Sequence, residues 1–145
     1  MYKKILMPLD GSELAKKALG QAEKLAKLFD SEIILLQIVP FMPISGAPEL
    51  VTPLIVDEKH KESAERYLTN LAEELKAKGY KVSATVKTGQ QVATEIIDFA
   101  KANSVDLIIM NTHGRSGISR WFLGSVTLKV LTRAETPILL VRSKL

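Results

Sequence analysis

Leu107-Ile-Ile-Met110 runs directly into Asn111-Thr-His-Gly-Arg-Ser-Gly-Ile-Ser-Arg-Trp-Phe-Leu-Gly-Ser125, and a helical pattern opens at Ser125. An apolar run, a glycine-bearing stretch and a helix start, in that order, are what an open parallel sheet places at a ligand crevice. Three of the eight glycines, Gly114, Gly117 and Gly124, fall in this stretch. Without a Cβ, such residues let main-chain N–H groups wrap an anion. The first N–H groups of the following helix add unpaired donors and a favourable dipole. The stretch therefore reads as a phosphate cradle, or else as an ordinary glycine-containing surface loop.

Working outward, the rest of the chain repeats the same alternation. Lys3 to Leu9 reads as a nearly continuous apolar strand with Pro8 at its end, the pattern of a strand covered on both faces. Asp10-Gly11-Ser12 turns into a helix of about five turns, Leu14 to Phe29, with apolar residues at three- and four-residue steps. Glu32 to Val39 is a second buried strand. Pro40 to Pro53 holds four of the six prolines and shows no periodicity, so a long loop is expected. A helix over Asp57 to Lys78 turns Ala64, Leu68, Leu71 and Leu75 inward, and Gly79 stops it. Lys81 to Lys87 alternates as a third strand nearer an edge, and Gln91 to Ala102 is a helix packing Val92, Ile96, Ile97 and Ala100. Val105 to Met110 is the fourth strand, Ser125 to about Arg133 the last helix, and Thr136 to Arg142 the fifth strand.

Strands alternating with helices predict an α/β fold: a five-stranded parallel sheet with helices on both faces, doubly wound and Rossmann-like. Right-handed crossovers with one reversal of strand order put the crevice at the ends of the first and fourth strands, at Asp10 and Asn111. At 145 residues one domain, 1–145, is expected.

Bulk properties narrow the function. No apolar run approaches the ~18 residues of a membrane span, and no stretch of signal-peptide length follows Met1. A cytoplasmic protein without a membrane partner is expected. With no cysteine, disulfides, thiolate metal sites and cysteine nucleophiles are excluded. The net charge of +4 is concentrated: from His113 onward six basic residues face one acid, while the preceding part is close to balanced. That favours a compact polyanion at one site over nucleic acid, which needs basic residues spread along a face.

No Gly-x-x-x-x-Gly-Lys-Ser/Thr occurs, and no Gly-x-Gly-x-x-Gly follows the first strand. What does occur is Gly114, nine residues, then Gly124-Ser125, with Asp10 ending the first strand. In these features and in its five-strand alternation the chain resembles the universal stress protein family over essentially its whole length. Members that bind ATP carry Gly-x-x-Gly-x(9)-Gly-Ser/Thr at this place. Here Gly114 and Gly124-Ser125 match, and Asn111 replaces the first glycine. Asparagine readily takes positive φ, so the turn is expected to persist, with a side chain that crowds the sugar or phosphate.

The resemblance implies ATP as ligand, with Mg2+ or Mn2+. It implies that Gly114, Gly124 and Ser125 meet the phosphates, with Val126 beside them and Arg115 as an added cation. Asp10, after Pro8, would lie near the ribose or the metal; the alternative is that it only satisfies the Gly11-Ser12 turn. Val39 would meet adenine, with Met110 and Asn111 completing the site. It further implies a regulatory or stress-response module that pairs as a homodimer through strand 138–141. His113 and His60 are not spaced as metal ligands, and no catalytic residue is evident. Two alternatives stand beside this reading: a slow ATP hydrolase using the same pocket, and an interaction module that binds no nucleotide.

Overall fold

A computed structural model describes residues 1–43, 54–112 and 123–142. The order is β1 (Lys4–Leu9), α1 (Glu13–Lys16), α2 (Leu19–Phe29), β2 (Glu32–Pro40), β3 (Met42–Pro43), β4 (Leu54–Ile55), α3 (Glu58–Ala77), β5 (Lys81–Gly89), α4 (Val92–Ala102), β6 (Leu107–Asn111), α5 (Ser125–Arg133) and β7 (Ile138–Val141). Five strands form one sheet in the order β5-β2-β1-β6-β7, and every pairing in it is parallel. The strand order reverses between β1 and β6, as the alternation predicts.

Alternating side chains build a core on each face. Ile5, Met7, Ile33, Leu35, Leu107 and Ile109 pack with Ala22 of α2 and with Leu68, Leu71 and Leu75 of α3. Leu6, Ile34, Leu36, Ile108 and Met110 pack with Ala93, Ile96 and Ala100 of α4 and Val130 of α5. The four inward positions expected of α3 are all buried. Asp57 caps that helix by accepting from the His60 N–H at 3.2 Å, and Gly79 leaves it at φ +92°.

Two expectations need correction. The helix from Leu14 to Phe29 is two helices. Lys17 N–H donates to the Leu14 carbonyl and Ala18 N–H to the Ala15 carbonyl, three-residue spans that tighten the chain and turn it. Buried Ala18 sits at the bend, and α1 goes on to lie over β1 and β6 while α2 follows β1 and β2. The second correction concerns the loop from Pro40 to Pro53. Met42–Pro43 within it form β3, which pairs antiparallel with β4 just after it, Met42 with Ile55 and Pro43 with Leu54. Residues 44–53 lie outside the described residues.

Main-chain parity explains where the sheet parts. Glu32 N–H donates to the Lys3 carbonyl and Asp106 N–H to the Lys4 carbonyl, so odd residues of β1 bond toward β2 and even ones toward β6. Pro8 is even and has no N–H to give. Pairing of β1 with β2 runs on to Leu9↔Gln37, but with β6 it stops at Leu6↔Ile108. A crevice therefore opens between the C-terminal ends of β1 and β6.

Candidate functional site

Asp10 leaves β1 into the Gly11 turn, where φ is +82°. Its Oδ1 accepts from the Ser12 N–H at 2.9 Å and from the Ser12 hydroxyl at 2.5 Å. Ser12 Oγ in turn accepts from the Ala15 N–H at 3.3 Å and caps α1. The turn-holding role is thus present, and it uses only one carboxylate oxygen. Half-buried Asp10 stands at the rim of the crevice. Lys16 Nζ lies 5.7 Å from the centre of the Tyr67 ring. The Tyr67 hydroxyl is pushed up to about 12, first by burial and then by the negative charges of Glu13 and Asp10.

The opposite wall is the junction of β6 with α5. Gly124 N–H donates to the Thr112 carbonyl at 2.9 Å. Thr127 Oγ1 donates to the Asn111 carbonyl at 3.0 Å in a buried contact. These two bonds clamp the start of α5 against the end of β6. Gly124 is the N-cap, with φ −58° and no side-chain cap, and its carbonyl accepts the first helical bond, from Leu128. The Gly124 amide is therefore spent on the protein. Donors for an anion fall to Ser125, Val126 and Thr127, whose N–H groups have no intrahelical acceptor. Ser125 is exposed and Val126 half-buried.

Asn111 is not in a left-handed turn. It is the last residue of β6, paired with Val141, and the positive-φ non-glycine residues among those described are Asp30 and Ser104. Its main chain stays extended because β7 continues the ladder beside it. The side chain is buried, with both carboxamide atoms unpartnered.

Val39 and Met110 are both buried. Met110 belongs to the core beside α4. For Val39 parity matters again: Glu32 bonds toward β1, and Phe41 N–H donates to the Gly89 carbonyl of β5 at 3.1 Å. Odd residues of β2 thus turn their main chain to β5. Ile38, one residue earlier, presents its main chain on the crevice side, where β2 outruns β1. Sequence reasoning missed Ile38, because only register assigns it. Gly114 and Arg115 lie outside the described residues, as do His113, Trp121 and Phe122. No cluster of three His, Cys, Asp or Glu side chains suited to a metal occurs among the described residues, and no helix there is long and apolar enough to cross a membrane.

These features define a doubly wound α/β protein whose crevice lies between an acid-bearing turn and the N-terminus of a helix. The profile of the universal stress protein family matches residues 1–142, and the chain belongs to that family. It is 34% identical to universal stress protein MJ0531 of Methanocaldococcus jannaschii over 142 residues, 98% of this chain and 83% of that one. Of solved structures, that of MJ0577 from the same organism is 32% identical with a TM-score of 0.82, covering 99% of this chain and 98% of that one. A universal stress protein family protein from Arabidopsis thaliana, solved with AMP bound, shares the fold at 19% identity and a TM-score of 0.69, over 98% of this chain and 92% of that one.

Proposed function

We propose that this chain is a nucleotide-binding regulatory module that holds ATP in the β1–β6 crevice, with Mg2+ or Mn2+ on the phosphates. The observation that carries the reading is the clamped start of α5. Its first-turn donors are held at the end of β6 by the Gly124 and Thr127 bonds, directly across the parted strands from Asp10. Anions bind such helix starts through N–H groups and the dipole. The AMP complex of the Arabidopsis relative supports a nucleotide as the anion's source. We assign the Ile38 main chain to the base, and Gly114 and Arg115 to the phosphates.

A metal would be held mainly by the phosphates. Mg2+ commonly takes one or two carboxylates and keeps several waters, and Asp10 has one oxygen that the Ser12 turn does not use. That fits a phosphate-bound ion and not a cage of protein ligands. Nucleotide occupancy would then be read at the surface. β7 is an edge strand with Leu139 exposed, an open edge of the kind that needs covering, and we assign the homodimer contact to strand 138–141.

The test is to denature purified protein, assay it for co-purified nucleotide, and compare melting with and without added ATP and Mg2+. Ligand at a hundred times its dissociation constant should stabilise the fold by about 2.7 kcal/mol. No nucleotide and no shift would favour the interaction module. Steady-state phosphate release that Asp10→Ala abolishes would favour the hydrolase.

A further inference from the structure

Four buried side-chain polar atoms among the described residues lack a hydrogen-bond partner: Gln37 Oε1, the Tyr67 hydroxyl, and the oxygen and nitrogen of the Asn111 carboxamide. Only Asn111 is unpaired at both ends. All three residues share one face of the sheet. Asn111 continues the alternation of Leu107 and Ile109, Gln37 that of Ile33 and Leu35, and Tyr67 packs there from α3. Leu9 pairs with Gln37, and extending the Leu6↔Ile108 register sets Asn111 on its other side. This row ends the sheet at the crevice. Over it lies α1, which packs on β1 and β6 yet buries none of its own residues.

A buried amide with neither end satisfied lowers stability relative to an apolar side chain of the same size. With no partner among the described residues, such a group suits internal water or a ligand. Position decides between them. The Asn111 carbonyl holds Thr127 of the first turn of α5 at 3.0 Å, so the carboxamide belongs to the residue that adjoins the anion-binding donors. In a nucleotide, what adjoins the phosphate is the sugar. Its neighbouring 2′ and 3′ hydroxyls each donate and accept, so a carboxamide oxygen can accept from one while its nitrogen donates to the other.

We propose that Asn111 is a ligand-contacting specificity residue whose carboxamide takes the vicinal hydroxyls of the bound ribose. The inference rests on the nucleotide reading above and reverses the crowding role expected from sequence. The side chain completes the site instead of obstructing it.

Calorimetric dissociation constants for ATP and 2′-deoxy-ATP on wild type, Asn111→Leu and Asn111→Gly test this, together with ligand-free melting temperatures. Wild type should prefer ATP by roughly tenfold, the scale of one satisfied hydrogen bond to an otherwise orphaned group. Both variants should lose that preference, with ATP weakened more than 2′-deoxy-ATP, which has only its 3′ hydroxyl contact to lose. Ligand-free Asn111→Leu should melt no lower than wild type. A preference retained in the variants, ATP binding as tight or tighter in Asn111→Gly, or no preference in wild type overturns the proposal. So does an Asn111→Leu protein that melts lower with unchanged binding, the mark of an amide paired to internal water. Should the leucine variant not fold, the glycine variant gives the binding answer. Wild type that binds neither nucleotide overturns the nucleotide reading and this inference with it, whereas wild type that binds ATP irrespective of residue 111 overturns this inference alone.

Discussion

The two ends of the central strands use polar groups in opposite ways. At the N-terminal end, Asp106 Oδ2 accepts from the main-chain N–H groups of Lys3 and Lys4 at 2.8 Å each. Lys4 Nζ donates to the Asn103 carbonyl at 3.0 Å, and the Ser31 hydroxyl to the Tyr2 carbonyl. No described side chain at that end has a buried polar atom without a partner. At the C-terminal end, Pro8 withholds a ladder donor, α5 offers three first-turn N–H groups, and Asn111 keeps a buried carboxamide unpaired. One end spends its hydrogen bonds on holding the strands together, and the other reserves them. Substitutions at the first end should therefore change stability alone, and those at the second should change ligand binding as well.

The largest expected effect tests the closed end. Asp106→Ala leaves two main-chain donors without a charged acceptor and should lower unfolding free energy by about 3 kcal/mol in urea titration, with ATP affinity unchanged. A matching fall in affinity would erase the contrast. At the open end, Asp10→Ala should weaken ATP binding roughly tenfold, equivalent to ~1.4 kcal/mol, while loosening the Ser12 turn by ~1 kcal/mol. Unchanged binding would reduce Asp10 to a turn residue. Thr127→Val removes the clamp on the Asn111 carbonyl and should destabilise by ~1 kcal/mol, with a few-fold loss of ATP affinity as the first turn of α5 loosens.

A separate effect is in pH. Between the ordinary tyrosine value near 10 and about 12 in the fold, the unfolded chain ionises Tyr67 while the native chain keeps its proton. Raising pH across that window therefore favours unfolding. Wild type should lose stability faster than Tyr67→Phe from pH 10 upward, and the two should run parallel below it. Parallel curves throughout would remove burial and the Asp10 and Glu13 charges as an influence on this hydroxyl.

Much of this was legible in the sequence because it follows from period and punctuation. Apolar runs marked four of the five main strands and alternation marked β5, Ala64, Leu68, Leu71 and Leu75 marked the buried side of α3, and Gly124-Ser125 marked the start of α5. What escaped depends on facts that periodicity does not encode. The bend at Lys17–Ala18 preserves three- and four-residue spacing along the chain while changing the helix direction. The pairing of Met42 with Ile55 joins residues across a proline-rich interval. Whether Val39 or Ile38 turns its main chain to the crevice is a matter of parity, set by a bond between Lys3 and Glu32. The glycine pattern located the Gly124 junction but not the use of its amide, and it read Asn111 as a turn residue when the ladder with Val141 holds it extended. Composition and spacing found the place; only pairing told which atoms are left over there.

The most direct test of an open end built for a nucleotide is an amide-resolved NMR titration of the labelled protein with ATP and Mg2+. Saturable shifts at Ser125, Val126 and Thr127, together with the Asp10–Ser12 turn, and steady signals at Lys3 and Lys4 are the predicted result. Shifts that gather at Lys3, Lys4 and Asp106, or first-turn amides of α5 that stay unmoved while ATP binds, would contradict it.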